Sequence, residues 1–231
     1  MPYFQQTPAS VAVLTSGGLD SAILLAHLAE SGHTVQPIYV AMGCAWDTAE
    51  RQAVNRFTNA LDAETVLPVV ELGLPVADLY GDHWSITCEN VPGESTPDEA
   101  VFLWGRNPLL LLKPALWCQK QGIRHLALGP LASNPFADAT EEFFEQFTAA
   151  LVIATEQELE IVRPFAQFSK QEVLELGAHL PLELTFSCLA PQRGLHCGRC
   201  NKCAERTRAL GTLAGGDPTV YAESSCVEAV D

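Results

Sequence analysis

Short apolar runs alternate with longer segments of helical periodicity along most of the chain. Residues 11–14 form an uninterrupted apolar run, and further strand-like runs lie at 33–40, 64–70, 125–129 and 160–165. Apolar residues recur with helical spacing between these runs. Strands and helices that alternate in this way form βαβ units. We therefore predict an α/β fold built on a doubly wound parallel sheet.

Three helices are predicted to begin with capping boxes, in which a first side chain and a Glu three residues later satisfy free backbone donors. The pairs are Asp47 with Glu50, Asp138 with Glu141, and Ser169 with Glu172. A further apolar helix is predicted from Pro108 to about Gln121, because proline suits the first turn of a helix. Residues 71–100 are punctuated by Pro, Gly, Asp and Glu, so we predict a partly ordered excursion over the active site.

The first predicted strand ends in a glycine turn that opens a helix. Leu14 and Thr15 are followed by Ser16-Gly17-Gly18-Leu19-Asp20-Ser21. Glycines let the backbone approach a ligand, and the free N–H groups of a first helical turn point towards it. The turn therefore predicts a phosphate site, although Asp20 is also a residue type that caps helices. A kinase P-loop is excluded, because the lysine that such a loop requires is missing.

Composition narrows the class of substrate. The 231 residues carry a formal net charge of −15, from 13 basic and 28 acidic side chains. Such a surface repels phosphate backbones, so we expect a small-molecule substrate and no direct nucleic-acid partner. No apolar stretch approaches the roughly 18 residues that suggest a membrane span, and residues 1–6 show no secretory signal. We expect a cytoplasmic protein without a membrane partner.

Four cysteines lie close together near the C-terminus, at Cys188, Cys197, Cys200 and Cys203. Four thiolates with two-residue gaps suit a tetrahedral zinc ion, and a site without an open position is structural. We predict one structural zinc ion per chain at these residues. An iron–sulfur cluster and a reactive Cys-x-x-Cys pair are the alternatives, and His196 is a further candidate ligand.

The glycine turn, Gly105-Arg106-Asn107 and the cysteine spacing together resemble the QueC family of 7-cyano-7-deazaguanine synthases, which are PP-loop ATP pyrophosphatases. The similarity covers about residues 10–210 and includes the matching segments Lys170-Gln-Glu172 and Thr185-Phe-Ser-Cys188. It implies an adenine nucleotide α-hydrolase-like fold. We divide the chain into a PP-loop domain at 8–180, a zinc-binding subdomain at 181–212 and a loose tail at 213–231.

The resemblance implies a ligase of queuosine biosynthesis that converts 7-carboxy-7-deazaguanine and ammonia to 7-cyano-7-deazaguanine. ATP is the co-substrate, with magnesium, and adenylation of the acid precedes attack by ammonia. The implied catalytic residues are Asp20, Ser21 and Arg106. The implied ATP-binding residues are Leu14, Thr15, Ser16, Gly17, Gly18, Leu19, Asp20 and Ser21. The acid is expected to contact Arg106, Asn107, Asn134 and Phe136. The oligomeric state stays open, with a homodimer as one option.

Two loops depart from the family pattern. Residues 42–46 read Met-Gly-Cys-Ala-Trp where the family has Tyr-Gly-Gln-Arg-His, and residues 133–140 replace a Gly-Tyr-Pro-Asp-Cys-Arg-like segment. Because both loops are expected to face the substrate, adenylation is indicated more firmly than the acid that is adenylated. An enzyme that adenylates another carboxylate or amide therefore stays an alternative.

Two further alternatives use the same loop differently. A tRNA sulfur transferase would need a nucleophilic cysteine, for which Cys44 is the candidate, and a basic face that the charge of −15 disfavours. A binding protein that is stabilised by zinc and has no enzymatic activity would retain the glycine turn without using it for catalysis.

Overall fold

The computed structural model describes residues 9–222, in which five strands form one sheet. The strands are β1 (Ser10–Leu14), β2 (Thr34–Ala41), β3 (Val70–Gly73), β4 (His125–Ala127) and β5 (Glu160–Val162). They lie in the order β3-β2-β1-β4-β5, and every neighbouring pair is parallel. The predicted α/β class with a doubly wound parallel sheet is confirmed.

Helices connect the strands and cover both faces of the sheet. Over residues 9–222 they are α1 (Leu19–Glu30), α2 (Asp47–Leu61), α3 (Ala77–Tyr80), α4 (Trp84–Thr87), α5 (Arg106–Gln121), α6 (Glu141–Thr155), α7 (Lys170–Leu176) and α8 (Asn201–Leu210). Short 3-10 turns lie at Asp98–Val101, Ala137–Ala139 and Leu182–Leu184. None of the helices in this part of the chain is long and apolar enough to cross a membrane.

Alternate residues of β1 face opposite layers of helices. Val11 and Val13 pack with α1 and α7, whereas Ala12 packs with α5 and α6. All three side chains are fully buried. A strand that is covered on both faces needs an apolar residue at every position, which explains the unbroken apolar run in the sequence.

Helices α1 and α7 approach each other closely at Gly177. A Cβ atom on Gly177 would lie 2.4 Å from Cγ1 of Ile23, so a larger residue would force the two helices apart. Helix α7 ends at Leu176, directly before this glycine. The glycine therefore both ends the helix and permits its packing.

The third strand lies later than predicted. The expected strand at 64–70 forms only an isolated bridge between Val66 and Val35, and regular pairing starts at Val70. Pro68 interrupts the ladder because it has no backbone N–H. The side chain of Gln36 compensates by donating from Nε2 to the Pro68 carbonyl at 2.7 Å.

Of the three predicted capping boxes, only Ser169 with Glu172 is confirmed. Helix α2 already includes Asp47, whose Oδ2 accepts from the Gly43 N–H at 2.6 Å in the preceding loop. Helix α6 is capped by Thr140 instead of Asp138. These two predictions were wrong because tertiary contacts bind the aspartates and move the helix starts.

The order in which strands are added to the sheet reverses at β1, with β2 and β3 on one side and β4 and β5 on the other. In an open α/β sheet, ligands bind at such a reversal, beyond the carboxyl ends of the strands. The glycine turn follows β1 at this point. Arg106 and Asn107 lie in the first turn of α5, two residues earlier than the helix start predicted at Pro108.

The described part of the predicted tail contacts the cysteine region. Thr219 accepts from Nε of Arg206 at 2.7 Å, and Tyr221 Oη and Thr207 Oγ1 lie 2.8 Å apart. Residues 213–222 therefore pack against α8. Residues 1–8 and 223–231, which include the segment searched for a secretory signal and the end of the tail, lie outside the described residues. The domain division stays a prediction.

Candidate active site

The glycine turn after β1 needs glycine at Gly17 for two reasons. Its φ angle is +77°, in the left-handed region that side chains disfavour. A Cβ atom at this position would also lie 2.9 Å from the backbone oxygen of Glu50 in α2. The carbonyl of Gly17 accepts from the Phe186 N–H at 2.7 Å, so the turn is held by the C-terminal region as well.

Hydrogen bonds inside the turn set the start of α1. Ser21 Oγ donates to the Gly18 carbonyl at 3.1 Å and accepts from the Ser16 N–H at 3.2 Å. Ser16 Oγ lies 3.3 Å from Ser21 Oγ and 3.4 Å from the Gly18 nitrogen. Ser21 is buried, so its hydroxyl fixes the shape of a turn whose N–H groups can face an anion.

Asp20 follows the turn and pairs with a lysine from a distant helix. Lys170 Nζ lies 2.8 Å from both carboxylate oxygens of Asp20 and 3.6 Å from Glu205. Glu205 in turn lies 2.6 Å from Lys202 Nζ. Two acids and two lysines from α1, α7 and α8 therefore form one charged chain beside the glycine turn.

Arg106 reaches the same turn from the start of α5. Gly105 precedes it with a φ angle of +69°, which lets the chain enter the helix at this angle. Nε of Arg106 is buried without a hydrogen-bond partner among the described residues. In residues 9–222, no carboxylate oxygen lies within 4.0 Å of its guanidinium. The side chain is therefore a cation with an unused donor.

Three cavities meet at Ser16 and Arg106, which line all of them. The first lobe, of about 230 Å³, lies at the carboxyl ends of β1, β2 and β4, and its apolar lining includes Leu14, Val40 and Leu128. The second lobe has about 250 Å³ and the third about 150 Å³. The cleft is thus a single site with three branches.

The second lobe is the cationic branch. Gly18 and Asp20 line it, together with the basic side chains Arg106, Lys170, Lys202 and Arg206. Arg206 is only 1% exposed, and its guanidinium donates to neutral acceptors: Thr185 Oγ1 at 2.8 Å, the Leu182 carbonyl at 2.9 Å and Thr219 Oγ1. Its charge therefore adds to the positive potential of this lobe, which suits a phosphate group.

The third lobe is the aromatic branch. It is lined by Trp46, Trp84 and Phe186, with Glu50 and Lys202 as charged members. Burial raises the pKa of Glu50 to about 8, while the nearby charge of Arg106 opposes that shift. Glu50 also lines the first lobe.

Cys44 lines the first lobe, but its environment does not favour a thiolate. Burial raises the pKa of this thiol to about 12, and Asp47 adds to the shift. A nucleophilic cysteine requires the opposite, a pKa lowered by nearby cations or a helix N-terminus.

The sequence-predicted ATP and substrate residues occupy different places around the cleft. Leu14, Thr15, Ser16, Asp20 and Ser21 line the first lobe, and Leu19 contributes its side chain to the core, at 4% exposure. Asn107 and Asn134 also line the first lobe. Phe136 instead packs on Phe102, with ring centroids 4.9 Å apart.

Asn107 holds the substituted loop as well as lining the cleft. Its Nδ2 donates to the Asp138 carbonyl at 2.9 Å, and its backbone N–H donates to Asp138 Oδ2 at 3.2 Å. The loop at 133–140 is therefore tied to the first turn of α5, beside Arg106.

The four clustered cysteines come together as the spacing predicts. The Sγ atoms of Cys188, Cys197, Cys200 and Cys203 all lie within 4.8 Å of one another and are buried. The Cys197–Cys203 and Cys188–Cys200 sulfur pairs are each 3.9 Å apart. A buried four-cysteine cluster of this size can hold a metal ion.

Backbone N–H groups converge on the same sulfurs. Cys197 N–H points at Cys188 Sγ at 3.2 Å, and Leu189 N–H points at Cys200 Sγ at 3.4 Å. His196 is not part of the cluster, because its Nε2 accepts from the Ser187 N–H at 3.2 Å. The cluster therefore sits directly beside Ser187 and Lys202, which line the cleft.

The family model of the queuosine biosynthesis protein QueC matches residues 10–214. The chain belongs to the QueC family. It is 30% identical over 225 residues to the 7-cyano-7-deazaguanine synthase of Methanothrix thermoacetophila, covering 90% of this chain and 96% of the relative. Identity to the enzyme of the same name from Thiobacillus denitrificans is 33% over 223 residues, or 91% of this chain and 97% of that one.

Three members of this QueC-family cleft are not indicated as site residues by the sequence alone. Lys170 matches the family only as part of a helix start, and Lys202 lies inside the cysteine motif. Glu50 lies three residues after Asp47, so the sequence indicates the second residue of a capping box and not a site residue. A charged residue placed one turn into an amphipathic helix gives no signal that separates a solvated face from a cleft.

Proposed function

We propose that the chain converts 7-carboxy-7-deazaguanine, ammonia and two ATP to 7-cyano-7-deazaguanine, as a step of queuosine biosynthesis. The observation that carries this proposal is the three-branched cleft around Ser16 and Arg106. Adenylation brings together a nucleoside, a leaving pyrophosphate and an acceptor acid around one phosphorus atom. The cleft has one branch for each, and membership of the QueC family supplies the reaction.

The lining of each branch suggests its occupant. The first lobe, which has both apolar and polar side chains in its lining, would take the nucleoside. The second lobe would take the pyrophosphate through Lys170, Lys202 and the N–H groups of the glycine turn. The α-phosphorus would then lie at the junction, where the positive charge of the Arg106 guanidinium can stabilise negative charge that builds up in the transition state.

The residues of the second lobe also fit magnesium. Asp20 and Glu205 supply carboxylate oxygens, which are the ligands that this hard cation prefers. When bound there, magnesium neutralises phosphate charge. Lys170 would balance Asp20 before the nucleotide arrives, since the two are paired at 2.8 Å.

The proposed chemistry has two adenylations. A carboxylate oxygen of the acid attacks the α-phosphorus and pyrophosphate leaves, after which ammonia displaces AMP to give the amide. The amide oxygen then attacks the α-phosphorus of a second ATP and a second pyrophosphate leaves, after which loss of AMP and protons gives the nitrile. The protein's part is to orient the acid and the phosphates and to hold negative charge at the glycine turn and Arg106.

We propose zinc as the ion of the cysteine cluster. Zinc–sulfur bonds of about 2.3 Å in a tetrahedron place the sulfurs roughly 3.8 Å apart. Two of the sulfur pairs lie at 3.9 Å, and all four sulfurs lie within 4.8 Å of one another. Cys188, Cys197, Cys200 and Cys203 would hold the ion with no open position, so its role is structural. It would fix Ser187 and Lys202 at the second and third lobes.

Two alternatives are separated by their own observations. The substituted loops at 42–46 and 133–140 favour a second candidate, adenylation of a different acid by the same machinery. The raised pKa of Cys44 counts against sulfur transfer, which needs a thiolate near the ATP site.

The decisive experiment incubates the purified protein with 7-carboxy-7-deazaguanine, ATP, magnesium and ammonia and measures AMP, pyrophosphate and nitrile. We expect two AMP per nitrile formed. Release of AMP with the amide as the final product would reduce the function to amide synthesis. No AMP with this acid, but AMP with another, would replace the substrate. Light scattering on the same sample tests the homodimer, and cell fractionation tests the cytoplasmic location.

A further inference from the structure

The third lobe has a flat aromatic wall that neither the phosphates nor the ribose of ATP requires. Trp46 and Trp84 lie with ring centroids 5.7 Å apart and an interplanar angle of 33°. Trp46 is only 3% exposed, whereas Trp84 is half-buried and presents the accessible surface. The pair can therefore offer a supported ring to a planar ligand.

This wall is held in place by the segment that precedes α5. Ala45 N–H donates to the Ser85 carbonyl at 2.9 Å, which ties the loop of Trp46 to α4. Ser85 is fully buried, and its N–H is capped by His83 Nδ1 at 3.2 Å. The predicted excursion thus contributes a fixed side of the cleft through Trp84.

Glu50 lines the same lobe as this wall and has an unused acceptor. Its Oε2 is 3.4 Å from Tyr39 Oη, which is the carboxylate's one hydrogen bond within residues 9–222. In the same part of the chain, no lysine or arginine nitrogen lies within 4.0 Å of it. The neighbouring carboxylate of Asp47 contrasts with it, because a backbone N–H at 2.6 Å already satisfies Asp47.

The unsatisfied carboxylate of Glu50 indicates that a ligand bound there should supply hydrogen-bond donors. Burial raises its pKa to about 8 because the charged form is poorly solvated there. Donors that hydrogen-bond to the carboxylate would reverse this effect. A pair of adjacent N–H groups on a ring edge is the complement that an isolated carboxylate accepts best.

Arg106 completes the chemistry of the lobe. Arg106 and Glu50 line the same branch, together with Trp84. Among the described residues, no carboxylate oxygen lies within 4.0 Å of the Arg106 guanidinium to neutralise its charge. The matching ligand is a flat ring with an acid group at one end and N–H donors at the other. An aminopyrimidinone ring fused to a carboxylated ring has this pattern.

We infer that the third lobe is the acceptor site, in which Glu50 accepts from the ring N–H and the exocyclic amino group of the acid, Trp84 contacts the ring face and Arg106 faces the carboxylate. This inference rests on the proposed function and adds its specificity-determining residue. Glu50 would then select a 2-amino-substituted ring over one without the amino group, because a buried carboxylate left unpaired is costly.

The test compares two acids and two carboxamide variants by calorimetry. The acids are 7-carboxy-7-deazaguanine and the same molecule without its exocyclic amino group, each titrated in the presence of an α,β-methylene ATP analogue. We expect wild-type protein to bind the amino compound at least tenfold more tightly. In Glu50→Gln, the Kd of 7-carboxy-7-deazaguanine should rise at least tenfold, while the Kd of the acid without the amino group should change less than threefold. Glu71→Gln removes an exposed carboxylate paired with Arg51 and is the control.

A second pair of variants tests the aromatic wall without touching Glu50. Trp84→Ala should raise the Kd of the acid about tenfold, and Trp84→Phe should restore most of it. Trp104→Ala is the matched control, since that side chain is 72% exposed. Equal binding of both acids by the wild type would overturn the inference. So would a Glu50→Gln variant that weakens the ATP analogue and leaves the acid unchanged.

These outcomes are separable from the fate of the proposed function. Binding is measured without turnover. Binding of 7-carboxy-7-deazaguanine that depends on Glu50 would therefore support the site even if no nitrile is produced. Nitrile formation that is unaffected by Glu50→Gln and Trp84→Ala would support the function and reject this acceptor site.

Discussion

Lys170 Nζ lies 2.8 Å from both carboxylate oxygens of Asp20, although 150 positions separate the two residues in the sequence. The pair links the glycine turn after β1 to the start of α7. Glu205 and Lys202 extend it to the helix that follows the cysteine cluster. The phosphate side of the cleft is therefore assembled from three distant segments and depends on the packing of all three.

Removing either member of this pair, or the neighbouring hydroxyl of Ser21, should slow catalysis while the fold stays intact. We expect Asp20→Ala, Ser21→Ala and Lys170→Met each to lower pyrophosphate release at least tenfold. Tenfold corresponds to about 1.4 kcal/mol of barrier, a modest loss for a residue at a phosphate site. Lys120→Met, at an exposed lysine of α5, is the control and should match the wild type. Wild-type release by Asp20→Ala or Ser21→Ala would reduce these residues to structural roles.

The glycine turn offers a test with a matched glycine. Gly17→Ala should destabilise the protein by roughly 1–3 kcal/mol and lower turnover at least tenfold, because the new Cβ would meet the Glu50 carbonyl at 2.9 Å. Gly32 has a similar φ angle of +87°, and a Cβ added there would meet nothing within 4 Å, so Gly32→Ala reports the backbone strain alone. Equal unfolding free energies for the two variants would show that the contact with α2 is unimportant.

The cysteine cluster predicts a measurable metal content. Elemental analysis of the purified protein should give about one zinc per chain, and Cys200→Ser should lose the metal and lower the Tm. The reason is that folding of a small metal site depends on its bound ion. Cys88→Ser, at an exposed cysteine, is the control. Full zinc occupancy in a Cys200→Ser, Cys203→Ser double variant would contradict the assignment of ligands.

The raised pKa of Glu50 predicts a pH-dependent cost to stability. The folded protein holds this proton up to pH about 8, whereas an exposed glutamate releases it near 4.5, so unfolding releases a proton between these values. The contribution of Glu50 to stability should therefore fall as pH rises through this window. Glu50→Gln cannot ionise, so the difference in unfolding free energy should move in favour of the variant between pH 5 and 8. Urea titrations at several pH values measure it, and a constant difference would show that the shift is absent.

Local signals in the sequence are sufficient for the first strand and the glycine turn. The apolar run at 11–14 and the turn at Gly17 each depend on residues that are neighbours in sequence, and both are predicted from it. The cysteine cluster is similar, since its four ligands lie within one short segment. Residues that act within one turn or strand leave a pattern that can be found without the fold.

The partners of charged residues are not predictable in this way. Asp47 and Glu50 have capping-box spacing, but Asp47 binds the Gly43 N–H and Glu50 faces the cleft. Lys170 belongs to a confirmed capping segment, yet its function depends on Asp20, which only the packing of α7 on α1 brings close. Spacing along one helix cannot distinguish these environments, because the deciding contacts come from other elements.

The substituted loop at 133–140 gives the last prediction. Asn134 lines the first lobe beside Arg106, and Phe136 packs at 4.9 Å on Phe102, whose neighbour Leu103 lines the third lobe. Because the proposed acceptor site is the third lobe, Phe136→Ala should raise the KM for 7-carboxy-7-deazaguanine several-fold more than the KM for ATP. Asn134 lines the proposed nucleoside lobe, so Asn134→Ala should raise chiefly the KM for ATP, unlike the sequence-based expectation that Asn134 contacts the acid.

The two variants act by different routes, so they can be separated. Asn134 would contact a ligand directly, whereas Phe136 would support the wall of the third lobe through Phe102. Loss of an aromatic pair is worth about 0.5–1.5 kcal/mol, which corresponds to roughly two- to tenfold in KM. Ser133→Ala, at an exposed serine of the same loop, is the control. A rise in Asn134→Ala confined to the KM for the acid would place the acid in the first lobe, and unchanged constants in both variants would remove the loop from substrate recognition.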